Sequence, residues 1–482
     1  MLERRSSPRF LRPGPQSGRG RRRKGASMDG HPKKTYGAFT AAAMVVGIVI
    51  GSGVFFKAEA VLTATGGDLV LGVLAWAAAG CVMLSCAAAF ALLAVRRPDA
   101  GGPADYAREA AGPGYAYCVG WFLAAVYYPS MTAVLAWASA RYACLLLGAD
   151  PAGGSAMLLA ALFLIGAFGV NALVPAAAGR IQVAATLIKL LPLAAMAVGG
   201  VALGLRSGLL AENLAYVPAS GGGFAASVVS VAFAYEGWLA AASISGELKE
   251  PRRDLPLALL AGSVLVILIY IGYYMGLAGA VSTRELMAGG REAAQLAFRR
   301  VLGDPLGTAA FSLIVVSCLG SLNGLSMANS RGLYALAVRG QAHPLFAAVD
   351  PHTGTPLSSA IAGLLLAGGW LLHFYGGELA QPSWLGIFSY DTAELPVITL
   401  YALYIPIFVR MTGQGLGEGA MRRFVIPLAA LAGCVFMILA SIAAHGAELP
   451  GYLLLSAAVM AAGWAVRPRE KPPSDASPPA AK

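Results

Sequence analysis

The chain has 482 residues, of which 57% are hydrophobic and only 12% charged, with a mean hydropathy of +0.67. Soluble globular domains carry about 25% charged residues, so the composition excludes a soluble fold and points to a polytopic membrane protein. The formal charge of +11 is not a nucleic-acid signal: eleven basic residues precede Gly37 against only Glu3 and Asp29, which leaves +9 on the tail and little elsewhere.

Residues 1–36 are rich in Arg, Gly, Pro and Ser without apolar periodicity, and read as a disordered basic cytoplasmic tail. The charged region is too long for a signal peptide, and no small-residue cleavage site follows a short apolar core. Met28 offers an alternative start, which would leave residues 1–27 untranslated. Twelve apolar segments then follow, long enough to cross a bilayer, which takes ~20 residues each. They are 38–64, 69–94, 118–147, 155–174, 180–204, 224–246, 256–280, 306–338, 356–375, 384–409, 424–444 and 450–466. The transporter-sized domain is thus 37–466, and 467–482 is a second disordered tail. Loops on the side of the tail carry Arg96, Arg97, Arg108, Arg180, Lys249, Arg252, Arg253, Arg339, Arg410, Arg422 and Arg423. The opposite loops are poorer in Lys and Arg, except the one after the seventh span, where 291–302 reads as a short amphipathic helix. The positive-inside rule places both termini in the cytoplasm.

The first span reads VVGIVIGSGVFF over 45–56, where Gly51, Ser52 and Gly53 interrupt an otherwise continuous apolar run. Glycine in a helix interior costs roughly 1 kcal/mol relative to alanine. An opened turn in lipid is tolerated only where its backbone faces protein, water or a ligand. The stretch therefore reads either as a broken helix or as a small-residue packing motif. In a broken helix, the half beginning at Gly53–Val54 turns its free N–H groups toward an anion such as a carboxylate. The half ending at Ile48, Val49 and Ile50 offers carbonyls to an ammonium. The sixth span carries a second interruption in FAYEGW, 233–238, which sets Glu236 and Gly237 at membrane depth. Breaks five spans apart are what an inverted five-plus-five repeat produces, here 37–205 and 222–410 with spans eleven and twelve at 424–466.

Ionisable groups inside spans are functional candidates by default. Lys189 lies in the fifth span without an acidic neighbour in sequence; it reads either as a proton-exchanging group or as a fixed cation on the carbonyls of the first opened turn. Glu236 reads either as a partner for a substrate ammonium or cationic side chain, or as a cap on the second half-helix. Arg141, late in the third span, reads as snorkelling outward. Asp391 and Glu394 open the tenth span, at an outer vestibule or a solvated end. Phe233, Tyr127 and Tyr128 are aromatic gate candidates, with Phe233 favoured by its place at the break. The six cysteines sit in or beside apolar runs without metal-type spacing, and the five histidines are scattered away from acidic clusters. The sequence accordingly predicts no catalytic residue, no metal site, no cofactor and no enzyme.

Several stretches resemble the amino acid–polyamine–organocation superfamily, in particular its L-type amino acid transporter and related bacterial permease branch. They are GIVIGSGVF, GGPADYAREAAGPGYAY, FAYEGW with GELKEPRRDLP, and SLNGLSMANSRGLYALAVRG running into HPLFAAVDPHTGTP, spread over nearly the whole chain from Tyr36. The resemblance implies an all-α fold of twelve transmembrane helices, a LeuT-like five-plus-five inverted repeat with helices 1 and 6 broken, working by alternating access. It implies substrate carboxylate on the amides of Gly51, Ser52 and Gly53, and substrate amine on carbonyls near Ile48–Ile50 and from Phe233 through Ala234 to Glu236. Phe233 matches the family's aromatic lid. Lys189 matches a lysine standing where sodium-driven relatives bind a cation, facing Gly47 and, in the eighth span, Ser317 and Ser321. That favours sodium-independent exchange or proton symport.

Two departures matter. Animal L-type transporters bind a heavy chain through a cysteine between spans three and four, and Leu147–Ser155 has none, so no disulfide-linked partner is expected. LAAASI also follows the tryptophan where many members carry an asparagine-containing stretch, which leaves side-chain preference open. The expected protein is an amino acid transporter of the plasma membrane, with lipid, its substrate and in one version protons as partners. The rivals are a cationic amino acid or polyamine permease of the same fold and a sensor that binds amino acids without moving them.

Overall fold

The computed structural model describes residues 37–51, 53–96, 102–218, 223–238, 248–289, 292–380, 382–414 and 419–468. Regular structure among the described residues is helical throughout, and ten helices are long and apolar enough to cross a membrane. The first predicted span is interrupted: α1 (Ala38–Val49) ends, Ile50 turns extended with φ −66° and ψ 93°, and α2 (Gly53–Ala64) begins. Ser52 lies outside the described residues. The second span is α3 (Leu69–Arg96).

The third predicted span is longer than its apolar core. α4 (Pro103–Phe122) begins before it, with non-helical backbone at Ala111 and Gly112, then passes through a π turn at Leu123–Tyr127 into α5 (Tyr128–Leu147). α6 (Gly154–Leu173) follows, and the fifth span is α7 (Pro175–Ala195), a second π turn and α8 (Val201–Ser207), with short α9 (Leu209–Leu214) after it. α10 (Phe224–Ala234) carries the first half of the sixth span; the predicted second half, from Leu239, lies outside the described residues.

The seventh span is α11 (Pro251–Ala280), and the loop after it folds into α12 (Thr283–Gly289) and α13 (Glu292–Leu302), the latter matching the predicted amphipathic helix. Spans eight and nine are α14 (Asp304–Val338) and α15 (Leu357–Phe374). The tenth differs from expectation. The helix α16 (Glu394–Gln414) begins ten residues after the predicted 384, because Asp391 Oδ1 accepts from the Ala393 amide at 2.8 Å and the Glu394 amide at 2.5 Å and so fixes the start. α17 (Ile426–His445) and α18 (Leu449–Val466) are the last helices among the described residues.

Packing sorts these helices into groups. α11 lies against α3 and α1, while α2 and α3 lie against α10. α14 packs on α5 and α7, and α5 on α6 and α15. α16 pairs with α17, which also touches α3 and α10. The outward faces are apolar: Leu158, Leu162 and Ile165, spaced four and three apart on α6, are all exposed. Such a stripe suits lipid, where a soluble helix would turn charged residues outward. Arg141 does not snorkel. It is 8% exposed, with its guanidinium 4.9 Å from the ring centroid of Trp137, one turn earlier on the same helix face.

Candidate functional site

A helix end leaves carbonyls without intrahelical donors, and burial makes that costly unless side chains replace them. At the end of α1 two side chains from other spans do so. Lys189 Nζ donates to the Gly47 carbonyl in a buried contact, and the Tyr270 hydroxyl of α11 lies 3.0 Å from the Val49 carbonyl. The same hydroxyl is 3.1 Å from the carbonyl of Ala234, the last residue of α10. One O–H thus serves the ends of both α1 and α10.

The start of α2 and the end of α10 meet directly. A Cβ on Gly53 would lie 2.8 Å from Ala234 Cα and 3.3 Å from both Ala234 Cβ and Phe233 Cδ1, so only glycine allows α2 and α10 to approach this closely. Beyond Ala234 the chain leaves the helix. Tyr235 donates to the Val231 and Ala232 carbonyls at 3.3 and 3.2 Å, Glu236 donates to Phe233 at 3.3 Å, and Gly237 takes a left-handed φ of +103° that favours glycine. The junction is walled by aromatics. Tyr235 stacks on Tyr270 at 5.2 Å between centroids, Trp76 meets both edge-on, and the Tyr235 hydroxyl donates to the Trp76 carbonyl at 3.1 Å. Phe233 lies beside Gly53 and 5.3 Å from the Phe56 ring.

The structure brings most predicted site residues to one place. Val49, Ile50, Gly51 and Gly53 line the first break, and Phe233, Ala234, Glu236 and Gly237 the second. Ile48 is within α1, its side chain outside the described residues, and Gly47 is bound by Lys189 as expected. Ser321 faces the break: a Cβ on Gly51 would lie 3.2 Å from its Oγ, which donates to the Ser317 carbonyl at 3.1 Å. Ser317 is buried, and its own hydroxyl has no hydrogen-bond partner among the described residues.

Glu236 has unequal oxygens. Oε2 accepts from the Tyr127 hydroxyl at 2.9 Å, while Oε1 is buried with no hydrogen-bond partner among the described residues. Tyr127 therefore positions the carboxylate, a task its expected place among gate aromatics did not foresee. The π turn at Leu123–Tyr127 supplies that tyrosine, in keeping with the frequent occurrence of such turns at functional sites.

Residues 36–461 match a family described as amino acid permease. The chain belongs to the amino acid permease family. Curated relatives of the permease include the serine/threonine exchanger SteT of Bacillus subtilis, 28% identical over 417 residues that cover 84% of this chain and 90% of SteT. The b(0,+)-type amino acid transporter 1 of Mus musculus is 26% identical over 422 residues, covering 85% and 83% of the two chains. Among solved structures, MhsT in complex with L-phenylalanine superposes with a TM-score of 0.52 at 15% identity, over 86% of this chain and 99% of MhsT, which shows the likeness of fold.

Sequence reasoning missed four participants. Tyr270 carried no polar neighbour or break signal, and only the fold brings it to two carbonyls. Lys57, four residues past Gly53, was a visible ionisable group within a span. Its amine bonds Glu394 Oε1, which also accepts from the Ser230 hydroxyl, and His445 Nε2 meets Glu394 Oε2 at 2.9 Å. The expectation that the histidines stand apart from acidic groups is therefore wrong for His445, which also faces Glu448 at 3.4 Å. Those partners are 51 and three residues away in sequence, and helix ends that converge in space leave no local pattern for the more distant one.

Proposed function

We propose that this permease moves amino acids across the plasma membrane by alternating access, without sodium, by exchange or proton symport. The observation that carries this reading is the meeting of two helix interruptions at Gly53 and Ala234, bridged by one tyrosine hydroxyl. The amides at the start of α2, with Gly51, Ser52 and Gly53, take the substrate carboxylate. Carbonyls of Ile48–Ile50 and of the 233–236 turn take its ammonium. Phe233 closes over the bound zwitterion. Lys189, held on Gly47 beside the Ser317 and Ser321 segment, substitutes for a sodium ion. Spans one, two, six and seven move against the remainder, in a twelve-span arrangement built from repeats 37–205 and 222–410. Both termini are cytoplasmic, and no disulfide-linked heavy chain is needed.

A second reading concerns the substrate. The Oε1 of Glu236, without a hydrogen-bond partner among the described residues, suits a cationic side chain or amine, which favours cationic amino acids or polyamines as additional cargo. Reconstitution into liposomes tests both readings. Labelled leucine, serine, arginine and putrescine are offered with and without internal unlabelled amino acid and with and without a pH gradient. Accumulation that depends on internal amino acid marks exchange, and accumulation that depends on the gradient marks symport. Binding without accumulation of any of the four would mark a sensor and overturn the transport reading.

A further inference from the structure

Outward of Phe233 lies a buried polar cluster that the substrate site does not use. Lys57 on α2 and Glu394 on α16 have side chains 7% and 4% exposed. The Lys57 amine also lies 5.4 Å from the Phe233 ring centroid and 5.8 Å from that of Phe56, so the ion pair roofs the aromatic lid. Four carboxyl groups converge here, and three are occupied by loop backbone. Asp391 accepts from the Ala393 and Glu394 amides, Glu378 from the Thr392 amide at 2.7 Å, and Glu448 from the Asp391 amide at 2.9 Å.

Glu394 is different. Among the described residues its carboxylate bonds side chains only, one on each of three other helices: Lys57 on α2, Ser230 on α10 and His445 on α17. It therefore ties the outer halves of both interrupted spans to the tenth and eleventh spans. His445 contacts Glu394 through Nε2 and Glu448 through Nδ1. Both ring nitrogens are donors only in the imidazolium, so this arrangement suits the charged form.

We propose that Glu394 is the positioning residue of a proton-linked outer latch: α2 and α10 close over the substrate by bonding to its carboxylate, and release as the cluster takes up a proton. This rests on the transporter reading above and adds a residue and a linkage to it. With Lys57 in place, two cations face Glu394 and Glu448, with Asp391 and Glu378 behind them. When α2 swings out, Lys57 goes with it, and four carboxyl groups are left around a single imidazolium. Removing one partner of a buried pair leaves an uncompensated charge. A proton on Glu394, whose carboxylate has no backbone donor among the described residues to hold it ionised, relieves that charge. The sign follows from linkage. The open state binds more protons than the closed state, so acid outside favours opening and alkali favours closure.

The test reads the position of α2 and needs no substrate. Phe56→Cys places a thiol beneath the latch, and a membrane-impermeant maleimide is applied outside proteoliposomes from pH 8 to pH 5. Mass spectrometry of the peptide containing residue 56 gives the labelling rate, divided at each pH by that of the free peptide to remove the thiol's own chemistry. The normalised rate is expected to be low at pH 8 and to rise on acidification, by up to about tenfold per pH unit for one proton. With Glu394→Gln added it is expected to be high and independent of pH, and Lys57→Met provides the same release from the other side if the first variant folds poorly. A normalised rate that is flat with pH in the Glu394 protein overturns the proposal, as does an unchanged pH step in both released variants. Failure of amino acid movement in liposomes would instead count against the transporter reading and leave this result standing.

Discussion

Gly53→Ala adds one methyl group at the contact between α2 and α10. Its Cβ would sit 2.8 Å from Ala234 Cα and 3.3 Å from Ala234 Cβ and Phe233 Cδ1. Carbon atoms pack best at about 3.5–4.0 Å, so α2 and α10 must part by about 1 Å. The nearest atom is backbone, so no side-chain rotation relieves the clash. Forcing a methyl or methylene into packed space costs about 1–3 kcal/mol. Borne by the closed arrangement alone, that is about a 5- to 150-fold loss of its population. Uptake in proteoliposomes, normalised to protein that elutes as a single species in detergent, is expected to fall within that range, and Gly53→Val to abolish it. Gly51→Ala is the control: its nearest neighbour is the Ser321 hydroxyl at 3.2 Å, which can rotate away, so a smaller loss is expected. Wild-type uptake by Gly53→Ala would refute the claim that the two breaks must touch for transport.

Tyr270→Phe keeps the ring stacked on Tyr235 but removes the donor to Val49 and Ala234. An unmet buried acceptor costs about 1–3 kcal/mol, so thermal stability in detergent and apparent substrate affinity should both fall, and unchanged values would deny the hydroxyl a bridging role. Lys189→Ala leaves the Gly47 carbonyl without its donor, and uptake should drop or change its pH profile; a normal rate with an unchanged profile would remove Lys189 from coupling. Glu236→Gln should reduce uptake of arginine and putrescine more than that of leucine and serine. An equal loss for all four would mark the carboxylate as structural support held by Tyr127.

The break between α1 and α2 and the end of α10 are legible because Gly51, Ser52, Gly53 and Gly237 are misplaced in apolar runs, and misplaced residues are what a sequence displays. Lys189 was legible for the same reason, and its bond to Gly47 follows the expectation drawn from family resemblance. Hydropathy starts the tenth span ten residues early because it does not register a carboxylate cap; Asp391 ends an apolar stretch in which only Gly386–Phe388 forms a single 3-10 turn. The Glu394 cluster was illegible for a further reason. Lys57 and Glu394 are 337 positions apart, Ser230 and Glu394 are 164 apart, and each alone resembles a span end meeting solvent. Only packing of α2, α10, α16 and α17 around one point reveals that these ends are buried together. Tyr270 is similar, one tyrosine among several in α11 until two helix ends arrive at its hydroxyl.

The central claim is that bare peptide groups at two facing helix breaks grip both ends of a small zwitterion. Competition by modified ligands tests it most directly. Once a transported amino acid is known, its carboxamide and its N-acetyl derivative, each lacking one charge and otherwise close in shape, are set against labelled parent in proteoliposomes. The account predicts that the parent competes fully and that both derivatives lose at least about tenfold in apparent affinity, or about 1.4 kcal/mol. Equal competition by either derivative would show that one end of the zwitterion is not held there, and would contradict the account.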